Sequence, residues 1–328
     1  MATIAPLWLW LVFSVFVLMA LLVDFVVLKH QGAHEVSVPE ALRWTVAWVG
    51  LSFVFNAMFW LAVHNSSGSI ELANEKSLEF LTGYLIEKSL AVDNIFVFLM
   101  IFDYFAVPPA YQKRVLMIGV IGAIVLRTVL ILLGSWLLAH FHWVMYVFGV
   151  FLVITGLRMW WAAGQKGNIR NNRALKLLRK LMPVSRGYHG EQLWCREDGR
   201  RLATPLLLVI CLLGVVDVIF AVDSIPAIFA ITTDPFIVLT SNVFAILGLR
   251  AMFFLLQAVA SRFHLLSYGL ALILVFIGGK MLLIDVYKIS VTWSLSMVVV
   301  ILGATMWLSL RTTAPAASVA RTEDQAGR

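Results

Sequence analysis

The chain has 328 residues, of which 61% are hydrophobic and 13% charged. Its mean hydropathy of +0.92 excludes an ordinary soluble domain, whose charged fraction is nearer about a quarter. The formal charge of +7 fits Lys and Arg gathered in cytoplasmic loops and argues against a nucleic-acid partner.

Hydrophobic length predicts nine membrane spans, at 7–28, 44–63, 78–104, 115–138, 143–162, 204–230, 236–259, 265–285 and 290–310. The expected fold class is therefore all-α, a polytopic transmembrane helical bundle. The first run is too long for a signal peptide and lacks a basic residue before it, so it reads as a span. Trp8, Trp44, Trp60, Trp143 and Trp161 fall near predicted span ends, where interfacial aromatic anchors sit. The chain divides into a two-span region (1–77), a three-span unit (78–162), a basic loop (163–203), a second three-span unit (204–285), a last span (286–310) and a tail (311–328). The polar tail reads as disordered.

Orientation follows from counting Lys and Arg. With the loop 163–203 inside, the inner segments hold Lys29, Arg43, Lys113, Arg114, ten loop residues, Arg262, Arg311, Arg321 and Arg328, and the outer segments hold Lys76 and Lys288. That division, 18 against 2, predicts an outer N-terminus and a cytoplasmic C-terminus. Within the loop, Arg173 to Met182 alternates Leu175, Leu178 and Leu181 with basic residues, the pattern of a short amphipathic helix on anionic lipid. Cys195 and Cys211 show no CxxC spacing and read as free thiols.

Four acids stand inside the apolar runs. Glu87 and Asp93 lie in Glu87-Lys-Ser-Leu-Ala-Val-Asp93-Asn94, and Asp217 and Asp223 in Asp217-Val-Ile-Phe-Ala-Val-Asp223-Ser224-Ile-Pro226. A carboxylate in mid-bilayer costs a few kcal/mol and marks an ion or proton path more often than a decoration. The two stretches share the six-residue spacing and Ala-Val-Asp. Leu126-Arg127 likewise resembles Leu249-Arg250, and Gly156-Leu-Arg158-Met resembles Gly278-Gly-Lys280-Met. Spans three to five thus repeat as spans six to eight. Three spans per unit invert the second copy, as in many secondary transporters.

On a straight helix six residues leave the paired acids roughly 120° apart and about 9 Å along the axis. Local unwinding, which Pro226 favours by lacking an N–H, would let them converge and free backbone carbonyls. Glu87, Asp93, Asn94, Asp217, Asp223 and Ser224 then make an oxygen-rich metal site suited to Mg²⁺, Ca²⁺ or Mn²⁺. Lys88, Arg127 and Arg250 are the internal counter-charges. They leave a second reading open, in which the acids form only buried ion pairs.

The stretches Phe80 to Asn94 and Asp217 to Arg250 resemble the TerC family, and the resemblance runs from about Leu7 to Leu310. It implies a bacterial inner-membrane protein whose relatives look like manganese exporters, with links to tellurium resistance and alkaline pH. The leading expectation is a secondary transporter, no enzyme and without a cofactor, that exports Mn²⁺ or a similar hard divalent cation in exchange for protons. Carried over, the family's acidic positions are Glu87, Asp93, Asp217 and Asp223. The family pattern commonly has Val-Glu-x-x-Asp before the second motif, and Gly214 stands here at the Glu position. The remaining alternatives are a non-transporting component of a tellurite or envelope stress response and an intramembrane aspartyl protease. The protease's GxGD signature is absent, since Gly214-Val215-Val216 precedes Asp217.

Overall fold

The computed structural model describes residues 3–31, 37–141, 143–162, 175, 177–178, 182–185, 187–197, 200–259, 265–287 and 289–312, with the side chains of 24–31, 93, 162, 197, 200 and 258–259 left aside. Among the described residues ten helices carry the fold: α1 Leu7–Gln31, α2 Val38–Ser67, α3 Ile70–Tyr104, α4 Pro109–His140, α5 Val144–Ala162, α6 Pro205–Phe229, α7 Pro235–Leu247, α8 Leu249–Val259, α9 Leu266–Leu282 and α10 Val291–Thr312. Five of them (α2, α4, α5, α6 and α10) are long and apolar enough to cross a membrane, and the bent pair α7–α8 would make six. The apolar part of α1 and α9 are shorter, and α3 carries Glu79, Glu87, Lys88 and Asp93.

Local chemistry sets the helix starts. Ser37 accepts a hydrogen bond from the Glu40 N–H to open α2, and Ser69 accepts from Leu72 N–H to open α3. Between them Gly68 ends α2 at φ +68°, a left-handed conformation that glycine adopts without penalty. Thr204 with Pro205 opens α6, and Asp234 with Pro235 opens α7. Asp234 also accepts from Thr3 Oγ1 at 2.9 Å and Ile4 N–H at 2.8 Å, which ties the N-terminus to the loop before α7.

Two features depart from the sequence reading. The expected unwinding at the acid motifs does not occur: α3 is one helix from Ile70 to Tyr104, and α6 runs past Pro226 to Phe229, because the proline sits in its last turn. The break comes instead at Gly248, where α7 and α8 meet at 43°. A side chain there would place its Cβ 2.6 Å from Lys88 Nζ and 3.2 Å from Trp48 Cβ. The basic loop, for its part, holds an antiparallel pair of short strands, β1 Trp194–Glu197 and β2 Arg200–Ala203. Of the expected amphipathic helix, most residues lie outside those described. The tail from 313 does too.

Phe13, Phe55, Phe59, Phe80, Phe236 and Phe244 interlock α1, α2, α3 and α7 in one aromatic core. Helices α5 and α9 pack so closely that a Cβ on Gly156 would meet Ala271 O at 2.8 Å, and one on Gly278 would meet Gly149 O at 2.7 Å. Small residues are the usual means of close helix approach where hydrophobic burial no longer drives association. The offset that relates Gly156 to Gly278, 278 minus 156 or 122, also relates Gly149 to Ala271, 271 minus 149. The two tight contacts therefore exchange under the sequence offset.

Candidate functional site

Arg127, in α4, is the centre of a buried polar cluster. Its Nη1 lies against Glu87 Oε1 of α3 and donates to Asn242 Oδ1 of α7 at 3.1 Å, while Nη2 donates to Asp217 Oδ1 of α6 at 3.0 Å. All four residues are buried. A planar guanidinium with fixed donors is the side chain suited to holding acceptors from three helices at once. The accounting is incomplete: Glu87 Oε2, Asp217 Oδ2 and Arg127 Nε have no hydrogen-bond partner. Two carboxyl groups face one guanidinium.

Each residue singled out from the sequence has a definite place. Because α6 stays helical, Asp217 and Asp223 face different neighbours: Asp217 turns to α4 and Arg127, and half-buried Asp223 accepts from Thr155 Oγ1 of α5 at 3.4 Å. Asn94 and Ser224 are buried, and Ser224 Oγ has no partner. Asp93 is on α3, but its side chain lies outside those described. Lys88 is directed to the break in α7–α8, where Nζ donates to Ala245 O at 3.2 Å; it satisfies a carbonyl that the interrupted helix leaves open. Arg250 follows that break, half-buried. Among the described residues no three of His, Cys, Asp and Glu are gathered as a metal-binding group.

Asn242 and Thr155 were not singled out from the sequence. The signal for Asn242 was present, since Thr240-Ser241-Asn242 interrupts an apolar run. Gly214 lies one helical turn before Asp217, with nothing within 4 Å of the position of a Cβ. Both residues line a cavity of about 420 Å³ between α4 and α6. A longer side chain at 214 would enter that space.

The helices and the cluster between them define a multi-pass helical membrane protein that holds ionisable groups in the middle of its bundle. Residues 72–317 match the Integral membrane protein TerC family, and the chain belongs to it. It is 52% identical over 306 residues to a Salmonella typhi protein described as "Putative membrane-bound redox modulator Alx", covering 93% of this chain and 95% of that one. The protein of the same description from Escherichia coli K12 is 50% identical over 315 residues, covering 95% and 98%. An uncharacterized membrane protein of Myxococcus xanthus, STKORF319, is 46% identical over 302 residues, covering 92% of each. No solved structure matches the chain.

Proposed function

We propose that this chain is a secondary transporter of a bacterial inner membrane that exports a hard divalent cation, Mn²⁺ foremost, in exchange for protons. The observation that supports this reading is the Arg127 cluster, in which one buried guanidinium joins Glu87 of the first three-span unit to Asp217 and Asn242 of the second. In this arrangement Arg127 stands where a cation would, and the acids are held between the two units. A divalent ion at the same place would match the charge of two ionised carboxylates, which a single guanidinium does not. Coulomb attraction of about 4 kcal/mol per unit-charge pair at 4 Å in a protein surround doubles for a doubly charged ion, enough to compete with the guanidinium. Asp223 beside Thr155 is the second station we assign to the path. The exchange of the α5–α9 contacts under one sequence offset fits two inverted units that rock about this centre. Protons enter the cycle as the acids released by the metal take them up.

The relatives' description also bears on a redox role. The chain's two cysteines, Cys195 in β1 and Cys211 in α6, are free and stand on separate elements. A redox effect would then follow from the metal that is moved rather than from a dithiol of this chain. Purified protein in liposomes loaded with a Mn²⁺-sensitive dye should move Mn²⁺ under an imposed pH gradient. Glu87→Gln, Asp217→Asn and Asp223→Asn should each lower the rate at least tenfold with normal reconstitution. Wild-type protein that moves no metal across a panel of divalent ions would defeat the reading.

A further inference from the structure

The cavity between α4 and α6 does not look like an ion pathway. Gly119, Gly122 and Leu126 form one wall, Gly214 and Val218 the other, and Asp217 is the acid in its lining. Gly122, Gly214 and Val218 are exposed on the outer surface of the bundle, near the middle of both helices. At that depth the surface faces lipid chains. None of the three glycines has an atom within 4 Å of where a Cβ would stand, so the cleft is an absence of side chains in both walls. Its volume of about 420 Å³ is within the range of small-molecule sites, which are mostly apolar with a few placed polar groups.

The placed group is Asp217. It is 7% exposed, Oδ1 is held by Arg127, and Oδ2 has no partner. An unpaired oxygen of a buried carboxyl group calls for a hydrogen-bond donor, and a cationic one binds it most strongly. From these observations we infer that the cleft is a binding site for a lipophilic amine, entered sideways from the bilayer. The ammonium N–H donates to Asp217 Oδ2, and the apolar body fills the space left by Gly119, Gly122 and Gly214. Hydrated metal ions have no favourable route along such walls, so the cleft is a different entrance from the proposed metal path, and the two meet at Asp217. It does not depend on transport.

The full chain in nanodiscs of neutral phosphatidylcholine tests this without metal or gradient. The probe is 2-(1-naphthyl)ethylamine, followed by its own fluorescence, with 1-ethylnaphthalene as the uncharged counterpart and empty nanodiscs to subtract partitioning. Saturable binding of the amine, one per chain, should weaken at least tenfold in Asp217→Asn and in Gly214→Phe, and ethylnaphthalene should only partition. Equal saturable binding of both probes would show a groove for acyl chains and overturn the role of the carboxylate. Amine binding unchanged in Gly214→Phe would overturn the site itself. Gly214→Phe points into empty space and leaves the Arg127 contacts in place, so it decides the question even if Asp217→Asn fails to fold.

Discussion

At the scale of single residues, the buried cluster separates two roles that a buried ion pair can have. Removing one partner of such a pair is far more damaging than replacing all of it, because the remaining charges lose their compensation. Arg127→Gln would leave Glu87 and Asp217 buried without a counter-ion, at a cost of about 3–5 kcal/mol. In detergent the variant should melt well below the wild type. Adding Glu87→Gln to it should recover part of the loss, since the double variant removes one of the stranded charges, and the non-additivity measures the coupling. If the double variant is as unstable as the sum of the singles, the guanidinium and Glu87 do not act together. The acids themselves were legible in the sequence, because a carboxylate in an apolar run is hard to miss. Their destinations were not. Whether Asp217 and Asp223 meet or separate depends on whether α6 unwinds, and the position of Pro226 in its final turn decides that.

At the scale of helices, glycines mark two different situations that the sequence alone does not tell apart. Gly156 and Gly278 sit where a Cβ would meet backbone oxygen at under 3 Å, whereas Gly214 and Gly303 have open space around them. Gly156→Leu should force α5 from α9 and cost about 1–3 kcal/mol or more, with a matching fall in melting temperature. Gly303→Ala should be neutral or slightly stabilising, since alanine is the better helix former by up to about 1 kcal/mol. Equal effects in the two variants would mean that α5 and α9 are not in close contact. Gly248 belongs with the first group, for Lys88 and Trp48 fill the space beside it. Gly248→Leu should displace Lys88 from Ala245 O, and the loss should appear as lowered thermal stability. The break at Gly248 was invisible from periodicity because both flanks are apolar helix formers, and only the packing of Lys88 against a freed carbonyl gives it a reason.

At the scale of the whole molecule, the number of crossings fixes which side each end occupies, and the bent pair α7–α8 decides the parity. Its 13 and 11 residues amount to about 20 Å and about 17 Å of helix. Together they exceed the roughly 30 Å of the hydrocarbon core even with a bend. A bend of 43° redirects the chain but does not send it back to the face it entered, as a re-entrant loop requires. We therefore expect the run 236–259 to cross, as its hydrophobic length implies. With it, the nine crossings expected from hydrophobic length make an odd number, which would put the two ends on opposite sides. On the excess of Lys and Arg in 163–203, present as composition before any fold is known, we expect that loop and the C-terminus to be cytoplasmic. Green fluorescent protein fused after Thr312 should fluoresce, and alkaline phosphatase at the same point should be inactive. Phosphatase fused after Ser67, in the turn between α2 and α3, should be active. An active phosphatase after Thr312 would make α7–α8 re-entrant and remove the inverted relation between the two three-span units.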